Sequence, residues 1–433
     1  MNLCLDLSPV VHQKAGLASY ARELAIKLVE METGISWSVF HYDRHPPASL
    51  PSPLNILPRR VVPWGAYRWR STAALCHFLG LNMDSLFRGV DLFHATEHLL
   101  PRFSRIKTVF TLHDLIFLFH PETHKPMNRW FLTLMMPRFL RAADAVITVS
   151  ECTKKDAMRF YNIPEEKITV IYEGVSPRFH PVSSEIVGAV RLKYGLPERF
   201  ILYVGTIEPR KNLIALLEAL HYLLTTYHLQ LVIVGKKGWL YEGFFRRLRE
   251  LGLEERVHFT GYVPDEDLPA LYSAADLFVF PSLYEGFGLP VLEAMACGVP
   301  VICSNTSSLP EVAGDAALLV DPTDVQALAK AIERALTDET LRAMLRAKGL
   351  ERARMFTWEK TAQKTLEVYR RVLGNCRTIT PSGNYDNSAG GNLASGFERG
   401  GLISCFRELC FPRSGQFQVI LILDRYFASG EAL

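Results

Sequence analysis

Tyr284-Glu285-Gly286-Phe287-Gly288-Leu289-Pro290-Val291-Leu292-Glu293-Ala294, residues 284–294, is the most informative stretch of this chain. The apolar run Leu277–Phe280 before it reads as a strand. The pattern after it reads as a helix with Pro290 in its first turn and a stop near Cys297-Gly298. Proline is tolerated there because its missing N–H has no helical partner anyway, and glycine suits the C-terminal stop. Gly286 and Gly288 leave backbone N–H groups uncovered at a helix start. Unpaired donors and the positive end of the dipole coincide at that point, which suits a phosphate. Glu285 and Glu293 frame the turn, and carboxylates accept hydrogen bonds from sugar hydroxyls, so one could hold a ribose and the other a transferred sugar. Taken alone, the same letters also fit an ordinary turn between strand and helix.

A second stretch gives the first its weight. In Tyr203-Val204-Gly205-Thr206-Ile207-Glu208-Pro209-Arg210-Lys211-Asn212-Leu213 a strand ends at Gly205 and two cations stand where a helix begins. Cations oppose the dipole at a helix N-terminus, so Arg210 and Lys211 call for an anion, and a diphosphate would supply it through charge-assisted hydrogen bonds. Lys236 and Lys237, after another strand ending in glycine, read as surface residues.

Working outward, short β-rich runs alternate with amphipathic helical stretches over most of the chain, the signature of α/β layers around parallel sheets. The front half offers strands at Leu3–Leu7, Val90–His94, Lys107–Leu112, Ala145–Val149 and Thr169–Tyr172, with helices over Ser19–Met31 and Asn128–Ala142. The second half restarts with Phe200–Val204 and continues with Gln230–Val234, Val257–Thr260, Leu277–Phe280, Val299–Ile302 and Ala317–Val320. Two such series predict two doubly wound Rossmann-like domains facing across a cleft, residues 1–183 and 184–373, with the last helix able to pack back on the first domain. Residues 374–433, rich in Gly, Ser and Asn over 381–401, read as an atypical tail.

Together, Glu285 and Glu293, YVGTIEPRKNL (203–213), VHFTGYVPDEDLPALYSAADLFVFPS (257–282) and SLPEVAGDAALLVDP (308–322) resemble the retaining glycosyltransferases of family 4, the group 1 transferases of GT-B architecture. The likeness is tightest over about 200–325. It is looser in front, where Lys14-Ala15-Gly16 stands at a glycine-pair loop and VFTLHDL (109–115) at a His-Asp strand end. The resemblance implies a nucleotide-diphosphate sugar donor held mainly by the second domain. Glu285 would meet the donor sugar, the amides around Gly286, Phe287, Gly288 and Leu289 the sugar and phosphates, and Glu293 the ribose. Arg210 and Lys211 would hold the diphosphate beside Gly205, Gly16 would let backbone approach the phosphates, and His113 would lie near the anomeric centre. Ala15 replaces the first glycine of the usual pair, and Thr206 stands where some members have arginine.

The mannosyl-type members are the nearest in pattern, which makes a GDP-linked mannose the first expectation, with UDP-linked sugars behind it. The acceptor would be a glycan or a lipid-linked sugar of polysaccharide or cell-envelope biosynthesis, and no metal or other cofactor is expected. An epimerase or hydrolase on the same architecture, and a catalytically impaired homologue acting as an assembly partner, remain open.

Composition, at 48% hydrophobic and 21% charged residues, is that of a globular protein with sizeable cores and not of a disordered chain. A net charge of +3 gives no sign of nucleic-acid binding. Eight scattered Cys without a CxxC pair argue against a zinc site or a disulfide framework and for a reducing compartment. With no span-length apolar run and no signal-like start, the expectation is a cytoplasmic protein. Asp265-Glu266-Asp267 looks like a metal motif but sits where helix capping explains it. Arg59, Arg60, Trp64, Tyr67, Arg68, Trp69 and Arg70, with Arg129, Trp130, Phe131 and Arg138, mix basic and aromatic residues. Such a mixture fits either peripheral contact with the inner face of a membrane or a core with outward arginines.

Overall fold

The computed structural model describes residues 1–374 except 32–33, 44–49, 225–226 and 228, and these fall within one compact unit. The tail expected from 374 onward lies, past Gly374, outside the described residues.

Seven strands form the first sheet: β1 (Asn2–Asp6), β2 (Ser36–Tyr42), β3 (Arg59–Val62), β4 (Leu92–Ala95), β5 (Lys107–Leu112), β6 (Ala145–Thr148) and β7 (Ile168–Val170). Six form the second: β8 (Phe200–Val204), β9 (Gln230–Val234), β10 (Val257–Gly261), β11 (Leu277–Phe280), β12 (Val301–Ser304) and β13 (Ala317–Val320). Every pairing is parallel. The orders are β3-β2-β1-β4-β5-β6-β7 and β10-β9-β8-β11-β12-β13. Both are the doubly wound order that the sequence predicts, so the architecture is α/β and GT-B. Helices cover both faces of each sheet, which is why the central strands Leu277–Phe280 and Ala145–Thr148 are buried at every position.

β2 and β3 have no counterpart in the sequence reading. β3 is an edge strand carrying Arg59 and Arg60 on a partly exposed surface, so no apolar run announces it. The front loop also differs from expectation. The helix opens at Ala15 instead of Ser19, and Ala15 takes φ +41°, with Gln13 at +50°. Left-handed backbone costs a side-chain-bearing residue about 1–2 kcal/mol. Ala15 therefore carries strain that a glycine at the same position would not have.

The last helix, Trp358–Gly374, follows the second sheet in sequence but packs on the first domain. It lies along helix Ala15–Glu30, and Tyr369 reaches His94 on β4 with O···Nδ1 at 2.6 Å. His94 also meets Thr111 at 2.8 Å through Nε2, so it is a bonded core residue.

Candidate active site between the two sheets

In each sheet the strand order turns about its first strand, β1 between β2 and β4, and β8 between β9 and β11. A crevice opens at the carboxyl ends of the strands at such a point. Four loops border these crevices: Leu7–Lys14 after β1, Thr96–His98 after β4, Gly205–Asn212 after β8 and Pro281–Gly288 after β11.

The two C-terminal loops meet in a row of alternating charges. Lys211 Nζ lies 2.6 Å from Glu285 Oε1, and Arg210 Nη1 lies 2.7 Å from Glu285 Oε2. Arg210 Nη2 donates to Glu208 Oε1 at 2.6 Å, and Nη1 also reaches the Tyr284 carbonyl at 3.1 Å. Burial alone would raise the Glu285 carboxyl, but Arg210 and Lys211 overrule it and hold it at about 2. Lys211 is pushed down by burial and by Arg210, while Glu285 and Glu208 draw it back. The anion that the cation pair calls for is thus supplied partly from within the chain. Arg210 and Lys211 close a single 3-10 turn, Pro209–Lys211, and Asn212 at φ +54° turns the chain into helix Leu213–Leu223.

Gly288, at φ +111°, starts helix Leu289–Ala296, with Pro290 in its first turn. Phe287 turns its ring toward Tyr172 and Phe356, and its carbonyl accepts from the Ser308 hydroxyl at 2.8 Å. Gly205 follows β8 and takes the Val234 carbonyl through its N–H at 2.9 Å. Gly286 has a further constraint that no local pattern contains. A Cβ there would sit 2.1 Å from the His113 carbonyl oxygen, so the loop after β11 touches the end of β5 backbone to backbone.

His113 is 7% exposed. Its Nε2 lies 3.0 Å from the Thr96 carbonyl, its Nδ1 faces Glu173 at 3.6 Å, and Tyr20 meets its ring edge-on at 4.7 Å. Its carbonyl accepts from Thr153 at 3.1 Å. Asp114 beside it caps the next turn, accepting from the Ile116 N–H at 3.1 Å. Gly16 lies in the first turn of helix Ala15–Glu30 with no atom within 4 Å of where a Cβ would be, so the side that a side chain would occupy is open.

Glu293 stands apart from the charge row. The Tyr272 hydroxyl donates to it at 2.8 Å, and it lines a cavity of about 70 Å³ with Asp265, Arg22, Arg178 and Leu289. Burial pushes the Glu293 carboxyl up to about 7; Asp265 adds to the rise, and Tyr272, Arg178 and Arg22 oppose it.

Asp265 and Asp267 do not cap the following helix as expected. Asp265 bridges Arg22 at 2.8 Å and Arg178 at 2.9 Å, and Asp267 takes Lys193 at 2.6 Å and Tyr194 at 2.5 Å. Tertiary partners were nearer than the helix amides. Three groups carry no role in the sequence reading although their letters stand in the quoted motifs. Glu208 pairs with Arg210. Tyr284 stacks on Phe119 at 4.8 Å and donates to Asp156. Glu311 accepts the Glu151 and Cys152 N–H groups at 3.0 Å each, capping a first-domain helix from the second domain. Among residues bordering the first sheet's crevice, Lys14 pairs with Glu97, beside Asp6, whose carboxyl is pushed up to about 7 by burial and by Glu97. Glu208 pairs within its own turn, whereas the partners of Tyr284, Glu311 and Lys14 are distant in sequence.

Family models for "Glycosyltransferase Family 4" and "Glycosyl transferases group 1" match residues 15–179 and 191–352. O-antigen chain mannosyltransferase B of Escherichia coli is 33% identical over 386 residues, which are 86% of this chain and all of that protein. The serotype-specific mannosyltransferase WbdA of Escherichia coli is 38% identical over 277 residues, 62% of this chain but only 34% of the longer relative. Among solved structures, sucrose-phosphate synthase from Thermosynechococcus elongatus superposes with a TM-score of 0.69 at 25% identity, covering 87% of this chain and 100% of that one.

Proposed function

The chain belongs to the group 1, family 4 glycosyltransferases, and on that footing we propose that it transfers mannose from GDP-mannose to a hydroxyl of a growing polysaccharide, with retention at the anomeric carbon. The family membership rests on the two domain matches and on the relative aligned over 86% of this chain. The observation that carries the donor reading is the Arg210–Glu285–Lys211 row at the carboxyl ends of β8 and β11. The choice of mannose and of a polysaccharide acceptor is supported by the names of the two mannosyltransferase relatives.

In this reading the diphosphate displaces Glu285 from the two cations, and the freed carboxylate takes hydroxyls of the hexose. As the bond from the anomeric carbon to the phosphate oxygen breaks, Arg210, Lys211 and the N–H groups at the helix start meet the growing negative charge, without a metal ion. The departing phosphate oxygen can accept the proton of the incoming hydroxyl on the same face, which retains configuration and needs no covalent nucleophile. The contact between Gly286 and His113 closes the crevice against water, and His113 lines its first-domain side.

Glu293 is assigned to the ribose. Binding of GDP, UDP, ADP and dTDP, read as thermal shift and by calorimetry, tests the site. A ligand at a hundred times its Kd adds about 2.7 kcal/mol of stability. GDP is expected to give the largest shift, and Glu293→Gln to reduce it. A carboxyl raised to about 7 is protonated at pH 6 and ionised at pH 8, and only the ionised form accepts from two ribose hydroxyls. GDP affinity should therefore rise more steeply between these pH values in the parent than in Glu293→Gln. Parallel pH curves would remove Glu293 from the ribose, and no shift with any nucleotide would remove the donor site.

Peripheral membrane contact through the first domain is part of the same reading. Trp69 packs in the core against Phe40, and Arg70 lies over the partly buried Phe131 at 4.1 Å, so part of the basic-aromatic mixture is internal packing. Tyr67, Met127 and Trp130 are 80%, 70% and 67% exposed, at the starts of helices Ala66–Leu79 and Pro126–Ala142. Helix Ala66–Leu79 follows β3, and helix Pro126–Ala142 follows β5 after two short turns of helix, and in this reading the three exposed side chains form the face that a lipid-linked acceptor approaches. No helix among the described residues is long and apolar enough to cross a membrane. Co-sedimentation with anionic vesicles should fall when Tyr67 and Trp130 are changed to Ser, and unchanged sedimentation would end the membrane reading.

A further inference from the structure

Glu208 is the one charge of the donor row to which the preceding reading gives no task. It is 4% exposed; Oε1 accepts from Arg210 Nη2 at 2.6 Å, and Oε2 is buried without a hydrogen-bond partner. A carboxylate kept only to brace the fold would have both oxygens bonded, because a bare buried acceptor is destabilising. Arg210 is divided between two carboxylates, Glu208 through Nη2 and Glu285 through Nη1 at 2.7 Å. An arriving diphosphate competes with both. The two carboxylates are not equivalent in what carries them. Glu208 precedes Arg210 by two residues and belongs to the same turn, its carbonyl taking the Lys211 N–H at 3.0 Å. Glu285 comes from the neighbouring loop, next to the glycines at 286 and 288, and shares itself with Lys211.

We propose that Glu208 is a positioning residue for Arg210: when a nucleoside diphosphate draws Arg210 and Lys211 off Glu285, Glu208 keeps the guanidinium aimed at the phosphates, its bare Oε2 taking a second Arg210 N–H. A two-toothed hold of this kind fixes the plane of the guanidinium as well as its position. The carboxylate that leaves is then Glu285, which becomes free for the donor's hexose only once the diphosphate is in place. Binding of the two halves of the donor is coupled by this exchange. The inference rests on the diphosphate reading of Arg210 and Lys211.

The test is a double-mutant cycle on the Kd of GDP, by calorimetry on the full chain, with Glu208→Gln, Arg210→Ala and the pair together. Charge alone and positioning predict opposite signs. Neutralising a carboxylate beside an anion site, with nothing else changed, makes the anion bind tighter. Loss of a positioning partner makes it bind more weakly, by roughly threefold to thirtyfold, which lies inside the range seen for coupled neighbours. The expected result is weaker binding in Glu208→Gln, a larger loss in Arg210→Ala, and no further loss in the pair. Glu208→Asp, which keeps the charge with a shorter reach, should fall between parent and Gln. It carries the cycle if the Gln variant fails to fold. Tighter binding in Glu208→Gln, or losses that add in the pair, would overturn the positioning role while leaving the diphosphate site intact. Unchanged GDP binding in Arg210→Ala would overturn both.

Discussion

Gly286→Ala is expected to lower turnover roughly a hundredfold while leaving nucleotide binding close to that of the parent. The added Cβ would stand 2.1 Å from the His113 carbonyl oxygen, 2.9 Å from its carbon and 3.1 Å from the Asp114 Cβ. Ordinary contact needs more than 3 Å, so one backbone must retreat by about 1 Å from the other. Neither can do so alone. The His113 carbonyl is tied to Thr153 at 3.1 Å, and the 285–288 loop is tied to helix Leu309–Ala313 through Ser308, which donates to the Glu285 and Phe287 carbonyls at 2.9 and 2.8 Å. The strain is therefore relieved by parting the two domains at the crevice. A displacement of about 1 Å at reacting groups is enough for a hundredfold loss. Arg210 and Lys211, the cations proposed to hold the diphosphate, both lie on the loop after β8, so binding of the nucleotide should survive. Calorimetry with GDP beside turnover measurements separates the two effects. Parent-like turnover would mean that the closed contact is not the reacting state, and loss of both would mean that the loop itself had been rebuilt.

That contact also marks where sequence reading stops. Strands β5, β8, β9, β11 and β13 match their sequence-derived bounds because each is largely a short apolar run between turn residues, and all but the edge strand β13 are largely buried on both faces. β2 and β3 escaped because an edge strand with Arg59 and Arg60, and its mixed neighbour SWSVFHY, carry no such run. At the site, Arg210 and Lys211 were legible as cations in the wrong place for a helix start. What was illegible was their neutralisation by Glu285, since pairing between loops of adjacent strands is set by sheet order; Glu208, two residues before Arg210, stood in plain view in the motif without its role being read. The same holds for Gly286, whose pattern suggests exposed amides, whereas its missing side chain is required by a carbonyl from the other domain. Asp265 misled for a related reason. Local spacing offers a cap, but Arg22 and Arg178 approach from the first domain and the segment that leaves it.

Lys211→Ala carries the other large effect, a fall in turnover of roughly a hundredfold to a thousandfold, the scale seen when one preorganised charge-stabilising donor is removed. Lys211 is 8% exposed, 2.6 Å from Glu285 and 5.0 Å from the centre of the Phe280 ring. Its removal acts twice. In the proposed reaction the departing diphosphate loses one of its two cations, the more deeply buried one, when its charge is greatest, and Glu285 is left to Arg210 alone. Breaking a buried ion pair typically costs about 3–5 kcal/mol by stranding a charge, but here Arg210 remains at 2.7 Å, so the protein should still fold with a lowered midpoint. Glu285 stays ionised at neutral pH for the same reason: its carboxyl is held at about 2 with Arg210 as the foremost opposing influence after burial. The turnover loss is thus electrostatic and not a change of protonation. Nucleotide affinity should fall less than turnover, because ground-state charge is smaller than the charge that develops as the sugar leaves. Lys211→Arg should not restore the rate, since a planar fork cannot take the place of a compact ammonium wedged between Phe280 and Glu285. Turnover within a few-fold of the parent in Lys211→Ala would move the stabilisation of the leaving group to Arg210 and the helix start alone.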